Sequence, residues 1–235
     1  MWCIVEGFFS NQTVAAQVST TIKNLIHGYQ SFRQEYFEEK TAVYESLIQN
    51  GQKPKALVVA CSDSRVDPAI VTNCKPGDLF VIRNVANLIP PYEKDNGYHG
   101  TSAALEFGIC HLKIKHIIIF GHSQCGGIAS LVKSSCQQQS NSFIAKWMEL
   151  AKPAYDAAIN HDHQSDPEKL SELCGQYSLI NSLKNLQTFP WIAEKINSQK
   201  VNLHGWYFDL PTGTIKVFNE LQQKFTELDK DFLVS

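Results

Sequence analysis

The chain has 235 residues, 43% of them hydrophobic and 19% charged, and its 21 basic and 23 acidic side chains give a formal net charge of −2. This composition is typical of a globular protein, and it lacks the excess of positive charge on which binding to nucleic acids or anionic membranes depends. The count of seven cysteines is odd, which excludes complete disulfide pairing within one chain.

The apolar N-terminus, Met1–Phe9, contains Glu6 and lacks both a basic segment and an adequate apolar core. We therefore interpret it as packed or disordered rather than as an export signal. No run of about 18 apolar residues occurs in the chain, so we expect no membrane span. The expected compartment is the cytoplasm, where cysteines more often bind metal or catalyse reactions than form disulfides.

Apolar residues recur at helical spacing from about Gln12 to Asn50, which predicts a helical N-terminal arm. Gly28 is expected to separate two helices within it. We predict a division into this arm, residues 1–50, and an α/β region, residues 51–235, as parts of one domain.

Three short apolar runs follow the arm, at Ala56–Ala60, Leu79–Ile82 and His116–Phe120. Continuous apolar runs of this length are typical of strands that are buried on both faces. A helix is predicted between the second and third strands, from about Thr101 to Leu112. Alternating strands and helices predict an α/β fold with a mostly parallel central sheet flanked by helices.

The second half of the chain is predicted to be more helical. Helices are expected near Ser142–Ala151, Pro167–Leu186 and Trp191–Asn197. His161–Asp166 is interpreted as a solvated loop. Val201–Leu210 and Thr214–Phe218 are predicted to be two strands joined by a turn, followed by a closing helix near Glu220–Leu228.

Two polar segments stand directly after predicted strands: Cys61–Arg65 after the first and Gly121–Gly127 after the third. The carboxyl ends of parallel strands meet at one edge of a sheet, so Cys61 can approach His122 and Cys125. Two thiolates and one imidazole suit zinc, and three protein ligands leave one position for water, as in catalytic zinc sites.

The remaining cysteines and most histidines show no such pattern. We interpret the following as inert thiols or as histidines without a role in a site: Cys74, Cys110, Cys136, Cys174, His27, His111, His116, His161 and His163. Cys3 stays without an interpretation.

Two nucleophile motifs are excluded by their spacing. A phosphatase-type loop needs arginine six positions after cysteine, whereas Arg65 lies four positions after Cys61. The serine elbow Gly-x-Ser-x-Gly is also broken, because Cys125 stands where the second glycine would be.

Four motifs together resemble the β-class carbonic anhydrases. They are CSDSR at Cys61–Arg65, RNVAN at Arg83–Asn87, GHSQCGG at Gly121–Gly127 and HGWY at His204–Tyr207. The likeness extends from about Gln52 to Glu220. It implies one Zn²⁺ per chain, held by Cys61, His122 and Cys125, and reversible hydration of carbon dioxide to bicarbonate by a zinc-bound hydroxide. It also implies a homodimer or a higher homo-oligomer.

Asp63 and Arg65 are the expected catalytic residues. Two thiolates cancel the 2+ charge of zinc, so a zinc-bound water should ionise less readily than on a zinc with neutral ligands. Further help is therefore expected, and the Asp63 carboxylate could supply it by orienting the hydroxide. The resemblance assigns Arg65 to holding Asp63 away from zinc. A purely structural ion pair between the two is the alternative.

The resemblance also places Gln52, Phe80, Val85 and Phe107 around the substrate, with some reaching across a subunit interface. Gln52 would donate an amide hydrogen to a substrate oxygen, and the others would form apolar walls. Phe107 departs from the tyrosine that is common in the open-site subclass. Phe80 and Phe107 are equally compatible with a plain core role.

Val58 stands where a bicarbonate-regulated subclass carries tryptophan. The resemblance therefore implies the open-site subclass, without an inhibitory bicarbonate site. Tyr92 and His99 are weaker candidates for a proton shuttle and are also interpreted as surface loop residues. Two other functions stay open: hydrolysis of carbon disulfide or carbonyl sulfide, and a non-catalytic zinc or redox role.

Overall fold

The structure is a computed structural model that describes residues 19–95, 97–133, 142–161 and 166–228. The predictions for Met1–Phe9, for the start of the arm at Gln12 and for Cys136 lie outside these residues. Contacts divide the chain after Gly51 into two compact units, which are described in turn. Whether the arm belongs to the same domain stays a prediction.

The first unit is helical, as predicted. It consists of α1 (Thr20–Gln34), a π-helix (Glu35–Glu39) and α2 (Thr41–Asn50). Ser19 caps the start of α1 through its side-chain oxygen. The predicted break at Gly28 is wrong, because α1 continues through this residue and the helices separate at Lys40 instead. A glycine in a helix interior costs about 1 kcal/mol, which is not enough to end a helix.

A six-stranded sheet forms the centre of the second unit. Its strands are β1 (Ala56–Cys61), β2 (Leu79–Asn84), β3 (His116–His122), β4 (Asn202–Phe208), β5 (Ile215–Asn219) and β6 (Lys224–Glu227). The strand order is β2-β1-β3-β4-β5-β6. The first four strands in this order are parallel, and β5 and β6 continue the sheet in antiparallel pairing. The predicted mostly parallel α/β fold is confirmed.

Helices flank the sheet. They are α3 (Pro68–Val71), α4 (Gly100–Glu106), α5 (Gly126–Val132), α6 (Phe143–Met148), α7 (Lys152–His161), α8 (Pro167–Leu186) and α9 (Pro190–Asn197). A π-helix, Phe107–His111, extends α4. The central strands are buried on both faces. Leu57 and Val58, which are successive residues of β1 and so point to opposite faces, belong to two different core clusters.

One predicted element of the second half is wrong, and the start of another differs. The predicted helix near Glu220–Leu228 is replaced by β6, which pairs with β5 and places Phe225 against Phe218 with ring centroids 5.3 Å apart. Burial of these rings overrides the helical propensity of the surrounding residues. His161 does not begin a loop but ends α7, and residues 162–165 lie outside the described part of the chain.

The register of the parallel strands fixes the position of the functional segments. Ala60 of β1 pairs with Phe120 of β3, so the next residues, Cys61 and Gly121, stand side by side near the carboxyl ends of their strands. None of the helices that the structure describes is long and apolar enough to cross a membrane.

Candidate metal centre

Cys61, His122 and Cys125 converge at the carboxyl edge of the sheet. Their potential ligand atoms all lie within 4.8 Å of one another, and all three residues are buried. The two sulfur atoms are 3.9 Å apart. Two thiolates bound to one zinc ion at about 2.3 Å with tetrahedral geometry would be about 3.8 Å apart. The structure therefore brings together the three ligands predicted from the sequence, at a separation that suits a tetrahedral ion.

Backbone amides stabilise negative charge on both sulfurs. The amides of Asp63 and Ala86 donate to Cys61, and those of Gly127 and Ile128 donate to Cys125. The hydrogen bond from Cys125 lowers the pKa of the Cys61 thiol to about 4. The same hydrogen bond, together with burial, raises the pKa of Cys125. A divalent cation between the sulfurs would favour both thiolates, which is the form that binds metal.

His122 presents a free ring nitrogen to the two sulfurs. Its Nδ1 lies 2.8 Å from the carbonyl oxygen of Ser123, so Nδ1 carries the proton and Nε2 carries the lone pair. Nε2 is buried and has no hydrogen-bond partner within the described part of the chain. A buried acceptor without a partner is costly unless a ligand occupies it. The donor set and this nitrogen fit a soft divalent ion.

Asp63 lies next to this centre and is held by Arg65. The guanidinium donates from Nε to Oδ1 at 3.0 Å and from Nη2 to Oδ2 at 2.7 Å, and the Arg65 amide also donates to Oδ1 at 3.0 Å. Arg65 holds the pKa of the Asp63 carboxyl well below its usual range. Asp63 Oδ2 is 4.0 Å from His122 Nε2. The ion pair between Asp63 and Arg65 that was expected from the sequence is therefore formed beside the three candidate metal ligands.

Arg83 is a positioning residue that the sequence reasoning quoted in a motif but gave no role. It donates from Nε and Nη2 to the carbonyl oxygen of Cys61, at 2.9 and 2.7 Å, and from Nη2 to that of Asp63 at 2.7 Å. Its Nη1 binds the Asp67 carboxylate at 2.8 Å. One side chain thus fixes the backbone of a metal ligand and of the predicted catalytic carboxylate. The feature of the sequence that could have indicated this role is the position of Arg83, a charged residue near the end of an apolar strand.

The turn after β2 closes over the metal ligands. Ala86 adopts a left-handed conformation with φ of 62°, which aims its amide at Cys61. Trp147 fixes this turn by donating from its indole nitrogen to the carbonyl oxygen of Val85 at 2.7 Å. The turn also packs against Gly127, where an added Cβ would lie 2.8 Å from a methyl of Val85. Trp147 was not predicted from the sequence, and Gly127 was noted only as part of a motif, because both contacts join distant parts of the chain.

The four predicted substrate residues occupy different places. Val85 lies beside the metal ligands, through its contact with Gly127. Phe80 and Phe107 form an aromatic pair with centroids 6.1 Å apart, and Phe80 packs against the core cluster on the opposite face of the sheet from Val58. Gln52 is exposed in the loop before β1. Their roles toward substrate stay predictions.

Tyr92 and His99 lie in the loop that follows the turn at Val85. The Tyr92 ring packs on Phe189, and His99 Nε2 lies 2.6 Å from an oxygen of Asp95. This contact raises the pKa of His99. Both residues are at least partly exposed, as expected for a surface loop.

Comparisons with known proteins identify the family. A family described as "Carbonic anhydrase" matches residues 56–215. A carbonic anhydrase from Synechocystis sp. is 35% identical over 87% of this chain and 73% of its own length. The structure of the β-carbonic anhydrase CcaA is 34% identical, with a TM-score of 0.83 over 90% of this chain and 94% of that one. A tetrameric β-carbonic anhydrase from Sordaria macrospora is 29% identical, with a TM-score of 0.66 over 85% and 94%.

The match to the family covers well over half of the chain and includes every residue of the proposed centre. The protein belongs to the β-class carbonic anhydrase family. The resemblance stated from the motifs is confirmed at the level of the family.

Proposed function

We propose that this protein hydrates carbon dioxide reversibly, giving bicarbonate and a proton, with one zinc ion per chain held by Cys61, His122 and Cys125. The observation that carries the proposal is the convergence of two thiols and an unpartnered imidazole nitrogen beside a carboxylate that is itself held by arginine. Zinc, when bound, lowers the pKa of a coordinated water and so makes a nucleophile available near neutral pH.

Asp63 orients the nucleophile. Arg65 engages both of its oxygens, which fixes the carboxylate plane, and the lowered pKa of Asp63 keeps it ionised throughout the working range. An ionised carboxylate can only accept hydrogen bonds. Asp63 would therefore accept a hydrogen bond from the nucleophile and so orient it toward the carbon of the substrate.

Arg65 keeps Asp63 from becoming a metal ligand itself. The carboxylate lies close to the imidazole nitrogen of His122, so it could rotate to become a further ligand of an ion held there. The planar fork of arginine opposes this rotation with two parallel hydrogen bonds. A third bond, from Nη2 to the carbonyl oxygen of Gln124 at 3.1 Å, fixes the guanidinium to the loop that carries Cys125. This anchoring supports a gatekeeping role over a purely structural ion pair.

The substrate pocket is proposed to use Val85 as an apolar wall and Gln52 as an amide donor to bicarbonate, with Phe80 and Phe107 as further walls. The open-site subclass is also proposed. It is supported by Val58, which lines an apolar cavity of about 320 Å³ where the regulated subclass carries tryptophan, and by the engagement of Asp63 with Arg65.

The experiment that separates the candidate functions is a comparison of substrates. Zinc-quantified protein is assayed by stopped-flow for carbon dioxide hydration and, in parallel, for hydrolysis of carbonyl sulfide and carbon disulfide. We expect carbon dioxide to give the highest kcat/KM by at least tenfold. A preference for a sulfur compound would contradict the proposed substrate, and absence of turnover on all three would favour a non-catalytic zinc or redox role.

A homo-oligomer is proposed from the first unit taken by itself. Four apolar side chains of α1 form one stripe at helical spacing and are 47%, 65%, 46% and 61% exposed: Ile22, Leu25, Ile26 and Tyr29. Such a stripe suits an interface between copies. Leu25→Glu is expected to reduce the mass measured by light scattering, whereas Asn24→Glu, on the opposite side of α1, is expected to leave it unchanged. Equal masses for both variants and the wild type would contradict the role of the stripe.

The cytoplasm is the proposed compartment. The five cysteines that the structure describes are all free thiols, which supports a reducing environment.

A further inference from the structure

Two histidines meet at the amino end of the sheet, away from the proposed active site. In the parallel pairing of β3 with β4, His204 pairs with Ile118, and His116 stands two residues before Ile118. Side chains two residues apart point to the same face of a sheet, so the imidazoles of His116 and His204 lie on one face. His116 Nδ1 is 3.1 Å from His204 Nε2, and the ring centroids are 5.3 Å apart.

This separation suits two ligands of one metal ion. Two imidazole nitrogens bound at about 2.0–2.1 Å lie about 2.9 Å apart at a right angle and about 3.4 Å apart at the tetrahedral angle. The observed nitrogen separation falls inside this interval. The same separation also fits a hydrogen bond between two neutral imidazoles. With ring centroids 5.3 Å apart the two nitrogens face each other nearly in line, so the rings must turn about their side-chain bonds for both lone pairs to converge on an ion beside that line.

The pair is available as a ligand. Burial and, to a smaller extent, the neighbouring His116 lower the pKa of His204. The neutral form, which binds metal, therefore prevails at neutral pH. His116 is exposed, which gives an ion access from solvent. Both side chains stand on strands that pair through all seven residues of β3, so the backbone is held in place and binding an ion requires rotation of the rings alone.

We propose that His116 and His204 form a second transition-metal site, which takes a divalent ion such as Ni²⁺, Cu²⁺ or Zn²⁺ through two imidazole nitrogens. Water completes the coordination. His116 begins the strand that His122 ends, so the two sites lie at opposite ends of β3, about 20 Å apart at the usual rise of a strand. This site has no thiolate, and it therefore favours ions that prefer nitrogen ligands.

The test is calorimetric titration of Ni²⁺ into the zinc-loaded protein, purified without a histidine tag. We expect saturable binding of one Ni²⁺ per chain, with the zinc content unchanged. His116→Gln and His204→Gln are each expected to weaken binding at least tenfold. His111→Gln replaces another exposed histidine, on the π-helix after α4, and is expected to bind as the wild type does.

Absence of saturable Ni²⁺ binding by the wild type would overturn the proposal, and so would binding that survives in both His116→Gln and His204→Gln. Zinc content of each variant reports whether it has folded. If either variant fails to hold zinc, electron paramagnetic resonance of Cu²⁺ bound to the zinc-loaded wild type decides. Coupling to two nitrogens supports the site, and coupling to one or none overturns it.

Discussion

Arg65 binds Asp63 through two parallel hydrogen bonds, Nε to Oδ1 at 3.0 Å and Nη2 to Oδ2 at 2.7 Å, while Asp63 Oδ2 stays 4.0 Å from the free nitrogen of His122. The carboxylate is therefore close to the predicted metal ligands while both of its oxygens are engaged by Arg65. This relationship supports the proposal that the dyad takes part in the reaction rather than in metal binding, which can be tested by separating turnover from zinc binding.

Asp63→Ala is expected to lower kcat about 100-fold or more and to leave one zinc ion per chain. The reason is the role proposed for Asp63, which is to orient the nucleophile, a contribution typical of positioned acid–base groups, and not to act as a metal ligand. Stopped-flow hydration and metal analysis on the same preparation measure both quantities. Wild-type turnover in this variant would refute the assigned role, and loss of zinc would show that Asp63 helps to hold the metal.

The pH dependence of activity is expected to come from a group other than Asp63. Arg65 lowers the pKa of Asp63 in the folded protein, so the carboxylate remains ionised across the working range. The stability that this pair contributes is present above the unfolded pKa of about 4 and is lost as the pH falls through the lower folded value. Asp63→Asn should therefore reduce kcat by the same factor at every pH from about 6 to 9.

The measurement for that prediction is the ratio of variant to wild-type kcat across the range. A ratio that changes tenfold or more between the two ends would mean that Asp63 titrates during catalysis.

Gly127→Ala is expected to loosen the metal site. A Cβ at this position would lie 2.8 Å from Val85 Cγ1 and 3.3 Å from Ala86 Cβ, so the turn that donates an amide to Cys61 must move. Overpacking of this kind costs about 1–3 kcal/mol. We expect zinc to pass to a competing chelator at least several-fold faster than from the wild type.

Gly126→Ala is the matched control, because an added Cβ there meets no atom within 4 Å. Its zinc release should equal that of the wild type. Equal release from the two alanine variants would show that the close contact with the turn has no role in holding the metal.

Arg83→Lys is expected to accelerate zinc loss and to lower kcat although the charge is kept. Lysine cannot reproduce the fork that binds the carbonyl oxygens of Cys61 and Asp63 together with the carboxylate of Asp67. Hydrogen bonds from charged groups contribute about 1.5–3 kcal/mol, so unfolding by urea should begin at a lower concentration. Unchanged zinc release and unchanged kcat would show that the hydrogen bonds of Arg83 have no role in metal binding or turnover.

The convergence of Cys61, His122 and Cys125 could be predicted from the sequence because of where the strands end. Cys61 and His122 stand at the ends of two buried apolar runs, and the carboxyl ends of adjacent parallel strands must meet. Asp63 and Arg65 were predicted from the resemblance, and an ion pair between residues only two positions apart does not depend on how distant elements are placed.

Contacts between distant residues were not predictable in the same way. The bonds of Arg83 to Cys61 and Asp63, and the packing of Gly127 against Val85, depend on how whole elements are placed. The closeness of His116 and His204 depends on the register of two strands that are far apart along the chain. The prediction of a helix in place of β6 failed because pairing with β5, rather than local propensity, decides the conformation of this segment.

The most direct test of the central claim is a titration of zinc into protein stripped by a chelator, with the rate of carbon dioxide hydration measured at each addition. The account predicts almost no activity without zinc, a linear rise to one ion per chain and no further rise, with Cys61→Ser inactive at every point. Full activity in the stripped wild type, or no activity with one zinc ion bound per chain, would contradict it.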